Sequence, residues 1–160
     1  MRKLTAVTIA ALGLSAIAAR PTDEGQQADA VIRVERASLD RWGNGDPEGF
    51  LGTYATDITY FDPMQPKRVD GLATMRAMYG PLAGKIHVDS YDMIDPRVQR
   101  YGDVAVLTYN LVSHVRPPQG QARDVRWNST AVFHREHGKW REIHSHWSFT
   151  GSPQANPETP

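Results

Sequence analysis

The order of the hydrophobic patterns along the chain most constrains its fold. Helix-like spacing is confined to residues 28–80, whereas residues 85–149 carry runs rich in Val, Thr, Tyr and Trp that are separated by turn residues. Helices that precede a block of strands favour an α+β domain, because a parallel fold would interleave helices and strands. The sequence therefore predicts an α+β fold in which three N-terminal helices lie on one face of a cone-shaped, curved antiparallel sheet.

Local signals place the individual elements. Apolar residues recur at helical spacing over residues 28–42, Asp46-Pro47 begins a second short helix, and Asp70-Gly71 begins a third that Gly80-Pro81 ends. Residues 57–61 are β-branched and aromatic, which predicts a strand that stops at Asp62-Pro63. Four more strands are predicted, near residues 85–99, 103–116, 123–135 and 139–149.

The two ends of the chain differ in composition from its centre. Residues 1–19 combine a basic start at Arg2 and Lys3, an apolar stretch and a small-residue cleavage site, which predicts a signal peptide and a periplasmic or secreted protein. The alternative is a buried first helix. We expect disordered segments at residues 20–27 and 151–160, a single domain at residues 28–150, and no stable membrane span after cleavage.

Charge and cysteine content exclude several classes of function. Removal of Arg2 and Lys3 from 18 basic and 18 acidic residues leaves a net charge of about −2, and the arginines are scattered among acids. Nucleic acid is therefore not expected as a partner, because its binding needs a clustered basic face. The chain has no cysteine, which excludes disulfides and thiolate metal sites.

The last predicted hairpin carries two candidate catalytic histidines. A regular turn at His137-Gly138 would pair Ala131 with His144 and Ser129 with His146. Two imidazoles beside small residues would leave an open pocket wall. Hydrogen-bonded structural roles are the alternative, and the His-x-His spacing also suits a metal if Asp62 or Glu35 supplies a third ligand. We expect no metal and no cofactor.

Asp62 is the candidate catalytic carboxylate. It ends a predicted strand near the mouth of the cone, with Tyr60 on the same side. Such an Asp can take a proton from a carbon next to a carbonyl while Tyr60, His144 or His146 donates a hydrogen bond to the enolate oxygen. The alternative is that Asp-Pro simply opens a turn.

Further pocket residues are candidates for ligand binding. Glu35 lies in the middle of the apolar stripe of the first helix, where it either faces a pocket or pairs with an arginine. The aromatic residues Trp42, Tyr109 and Trp127 either fill the core or line a cavity for an apolar ligand.

The closing hairpin resembles that of SnoaL-like proteins and of the calcium/calmodulin-dependent kinase II association domain. The similarity rests on Gly138-Lys139-Trp140 followed by His144-x-His146-x-Ser148, and it extends over about residues 28–150. It implies the nuclear transport factor 2-like cone fold, a small and largely apolar ligand, and a homodimer. It also implies cofactor-free isomerase, cyclase or dehydratase chemistry, or else a non-catalytic assembly or ligand-binding module.

Overall fold

A computed structural model of the protein describes residues 23–117 and 119–150. The predicted signal segment and the predicted disordered tail lie outside the described residues. The prediction of a disordered arm over residues 20–27 is wrong from Asp23 onward, because the first helix, α1, spans Asp23–Gly43. The acidic residue at position 24 suits the positive end of this helix.

Three α-helices precede the last four strands, as the sequence predicts. α1 is followed by α2 (Glu48–Leu51) and α3 (Leu72–Tyr79), and a 3₁₀ turn over Gly80–Leu82 ends the helical part. The Asp46 carboxylate accepts a hydrogen bond from the Glu48 N–H at 3.0 Å, which fixes the start of α2. Within the described part of the chain, no helix is long and apolar enough to cross a membrane.

Six strands form one open, curved sheet. They are β1 (Tyr54–Phe61), β2 (Val69–Asp70), β3 (Ser90–Tyr101), β4 (Val104–Val115), β5 (Arg123–Glu136) and β6 (Lys139–Phe149). Their order in the sheet is β2-β1-β6-β5-β4-β3. The last four strands form the predicted antiparallel meander, and β1 adds to it in parallel beside β6, a pairing that local sequence signals do not reveal.

The sheet has a covered inner face and an outer face that carries no helix among the described residues. α1 reaches the inner face through a contact with Tyr109 of β4, and α3 reaches it through a contact with Tyr60 of β1. The core between helices and sheet includes fully buried Val31, Ile58, Met75, Leu107 and Phe133. The helices therefore close one side of the cone and leave a cavity at its mouth.

Candidate functional site

A cavity of about 360 Å³ opens between the helices and the inner face of the sheet. This volume is within the range of sites for small organic molecules. Eight of its lining residues are aromatic, and they come from seven different helices and strands: Trp42, Phe50, Tyr54, Tyr60, Tyr79, Tyr91, Trp127 and Trp147. Aliphatic side chains such as Leu39, Leu111 and Val125 fill most of the remaining wall.

The aromatic rings support one another around the cavity. Trp42 of α1 packs on Tyr79 of α3 with ring centroids 4.7 Å apart, and Trp127 and Trp147 of neighbouring strands meet edge to face at 6.1 Å. Such contacts hold each ring in one orientation, because edge-to-face and tilted pairs are favourable arrangements. The wall is therefore preformed and strongly apolar.

One end of the cavity is polar. The Tyr79 hydroxyl donates a hydrogen bond to the Tyr60 hydroxyl at 2.6 Å, and Asp62 also lines the cavity there. One oxygen of Asp62 accepts a hydrogen bond from the Met64 N–H at 2.6 Å, which orients the carboxylate. Burial is the main reason why the pKa of Tyr60 lies well above its ordinary value, and the neighbouring Tyr79 and Asp62 raise this pKa further. Tyr60 is therefore a neutral hydrogen-bond donor beside a carboxylate.

A register shift in the last hairpin overturns the predicted pairing of the two histidines. Phe133 pairs with Glu142, in the register of a regular turn at His137-Gly138, but the next pair is Val132 with His144, so β6 holds one extra residue at this point. Such a bulge reverses which side chains face inward. Ala131 and Ser129 consequently pair with residues 145 and 147 instead of His144 and His146.

Both histidines therefore lie on the outer face, away from the lining of the cavity. The Nδ1 atom of His144 lies 2.8 Å from the Thr59 hydroxyl, and burial lowers the pKa of the His144 imidazole. His146 is exposed and packs against the ring of Phe61. In the part of the chain that the structure describes, no group of three His, Asp or Glu side chains is arranged to hold a metal ion.

Other predicted site residues are divided between the cavity and the core. Trp42, Tyr60, Asp62 and Trp127 line the cavity. Glu35 and Tyr109 do not, because both are buried below it, where the Tyr109 hydroxyl donates to a Glu35 oxygen at 2.5 Å. The expected alternative of an arginine partner for Glu35 is also wrong, since its partner is the tyrosine.

The structure adds a second buried acid that the sequence reasoning did not place at the site. Glu142 of β6 is fully buried, as is Glu35. Among the described residues, one oxygen of Glu35 and both oxygens of Glu142 lack a hydrogen-bond partner. The signal in the sequence is weak, because Glu142 stands next to Arg141 in a strand rich in polar residues and looks like a surface position.

The two acids resist ionisation. Burial raises the pKa of Glu35 to about 7, although the hydrogen bond from Tyr109 lowers it. Burial and then the charge of Glu35 raise the pKa of Glu142 well above its ordinary value. Two carboxylates without a positively charged partner in a low-dielectric environment are costly to charge together, so protons are retained by the pair near neutral pH.

The curved sheet, its three covering helices and the aromatic cavity define a nuclear transport factor 2-like protein. Solved structures of this fold include nuclear transport factor 2-like proteins from Pseudomonas putida and Cytophaga hutchinsonii. More narrowly, the family model of the calcium/calmodulin dependent protein kinase II association domain matches residues 27–151. The chain belongs to this family.

Individual relatives include a kinase, a candidate enzyme and a hub domain. The chain is 27% identical over 126 residues to calcium/calmodulin-dependent protein kinase type II subunit delta of Oryctolagus cuniculus, covering 77% of this chain and 23% of the kinase. It is 33% identical to a candidate ketosteroid isomerase from Parabacteroides distasonis, with a TM-score of 0.66 and coverage of 75% and 85%. The hub homology domain from Chlamydomonas reinhardtii is 25% identical, with a TM-score of 0.67 and coverage of 78% and 98%.

Replacing one buried acid should change how stability depends on pH. The pKa of Glu35 rises from 4.5 to about 7 on folding, so the native state binds a proton more tightly and loses stability as pH rises through this window. We expect Glu35→Gln to remove that loss and to gain on the order of 3 kcal/mol over the wild type near pH 8, with little gain near pH 4. Urea denaturation of the two proteins at a series of pH values measures the difference in the free energy of unfolding at each pH.

The control for this experiment is Glu24→Gln, which changes an exposed acid on the same helix. It should leave the pH dependence of the wild type unchanged. Parallel stability curves for Glu35→Gln and the wild type across the whole pH range would contradict the proposed cost of charging the pair.

Proposed function

We propose that this protein binds a small, largely apolar molecule in the aromatic cavity. The observation that carries the proposal is the preformed apolar wall that ends in Tyr60, Tyr79 and Asp62. An apolar wall with a few convergent polar groups is the usual composition of a small-molecule site.

The signal-like residues 1–19 support a site of action outside the cytoplasm, and the intact mass of the mature protein would test for their removal.

The polar end also suits proton transfer without a cofactor. Because the Tyr79 hydroxyl donates to Tyr60, the Tyr60 hydroxyl keeps its own proton for donation, to the neighbouring Asp62 or, in a complex, to a ligand oxygen. Asp62 then acts as the base for a proton on the neighbouring carbon, as in an isomerase or dehydratase reaction. The similarity to a candidate ketosteroid isomerase supports this chemistry. The positions of His144 and His146 on the outer face give no support to their expected role in it.

Filling the cavity tests the binding function. Val125→Trp places a large ring in the lining, and we expect it to lower the affinity for the neutral hydrophobic dye Nile red by about tenfold or more, equivalent to roughly 1.4 kcal/mol. Arg126→Trp is the matched control, because the neighbouring residue of β5 is exposed on the outer face. Equal dye affinity in both variants, measured by fluorescence titration, would contradict binding in the cavity.

Asp62→Asn separates catalysis from binding. This variant should keep the dye affinity of the wild type while slowing deuterium exchange next to the carbonyl of a bound cyclic ketone, because the amide is no base. Asp57→Asn, an exposed change on β1, serves as the control. NMR in heavy water follows the exchange. Equally fast exchange in the wild type and both variants would contradict a catalytic role for Asp62 and would support binding alone.

A second candidate function is oligomeric assembly. The family match and the similarity to a hub homology domain favour it, and so does the outer face, where half-buried Val106 pairs with Val132. Val106→Glu should convert an oligomer into a monomer in analytical ultracentrifugation, because a charge at the centre of an interface is costly to bury. The exposed change Thr74→Glu on α3 should not. A wild-type monomer would contradict this candidate.

A further inference from the structure

We propose that the ligand of the aromatic cavity is an organic cation, namely a protonated amine or a quaternary ammonium group on an apolar body. This inference rests on the proposed binding function and specifies its ligand class. Three features of the described residues support it: the charge of the lining, the aromatic faces, and the buried acids behind the wall.

The lining carries negative charge without positive charge. Asp62 is the one carboxylic acid of the described lining, which contains no Lys, Arg or His. The other polar groups of the wall, such as Gln65 and Ser113, are neutral. An anionic ligand would meet no counter-charge there and would lose its hydration, which is a large cost in an apolar site. A cation, by contrast, can form a charge-assisted hydrogen bond or ion pair with Asp62.

Aromatic rings surround the same space. The faces of Trp, Tyr and Phe rings carry negative partial charge and attract cations, most strongly when the site excludes water. Trp42 lies 4.7 Å from Tyr79 and 5.8 Å from Phe50 between ring centroids, so three rings from three helices meet at one side of the cavity. Trp127 and Trp147 contribute from the sheet on another side. A neutral apolar ligand would use the area of these rings but not their charge distribution.

The buried acids lie behind this wall. The ring of Tyr54 lines the cavity. Burial raises the pKa of Tyr54, and the charges of nearby groups, Glu142 first and Glu35 among the others, raise it further. Three carboxylate oxygens of the two acids have no hydrogen-bond partner among the described residues. The pair retains protons near neutral pH, and a cation in the adjacent cavity would lower the cost of ionising it, whereas an anion would raise that cost.

A matched set of probes with one apolar body tests the inference. Cyclohexylmethylamine is a cation at neutral pH, cyclohexylmethanol is neutral, and cyclohexanecarboxylate is an anion, so the charge differs while the ring is the same. We expect the amine to displace Nile red from the full-length protein at about tenfold lower concentration than the alcohol, and the carboxylate to be the weakest competitor. Asp62→Asn should remove most of the preference for the amine and leave the alcohol unchanged, whereas Asp57→Asn should keep it.

The outcomes separate the ligand class from the binding function. If the dye binds but the alcohol or the carboxylate competes as well as the amine, or if the amine does not compete at all, the cation inference is overturned and binding in the cavity stands. If the dye itself does not bind the wild-type protein, the proposed function fails. A preference for the amine that persists unchanged in Asp62→Asn would also overturn the assignment of the cation to this end of the cavity.

Discussion

The extra residue in β6 is the constraint on which the arrangement of the site depends. In a regular strand, side chains five positions apart point to opposite faces, yet Glu142 lies in the core and Trp147 in the cavity wall on the same inner face. The register shift between the pairs at Val132 and Phe133 makes this possible. The same shift turns His144 and His146 outward, so one bulge decides which polar groups the interior contains.

The interior also holds two acids at a cost to stability. Glu35 on α1 and Glu142 on β6 share a buried environment in which the hydroxyl of Tyr109 hydrogen-bonds one of them. Removing charge from water without a partner is unfavourable, so proton retention by this pair limits the penalty. Structures retain such costly groups where they serve a site, and here the pair lies behind an aromatic cavity that lacks basic residues in its described lining.

The sequence predicts the fold well and the site in part. Periodicity and turn residues are local signals, and they are sufficient to predict the helices, the meander and the turn at His137-Gly138, where both residues have positive φ. Strand alternation likewise puts Tyr60 and Asp62 on one side. The bulge leaves no comparable local signal, because it depends on packing across strands. The contact of Glu35 with Tyr109, 74 residues away, is equally a product of the tertiary fold.

Native mass spectrometry of the protein purified from its own source, compared with Val125→Trp prepared in the same way, tests the central claim most directly. The account predicts that the wild type retains about one small organic molecule per subunit, that this molecule carries an amine or quaternary ammonium group, and that Val125→Trp loses it. Bare polypeptide masses for both proteins, or an equal amount of the same molecule on both, would contradict a ligand site in the aromatic cavity.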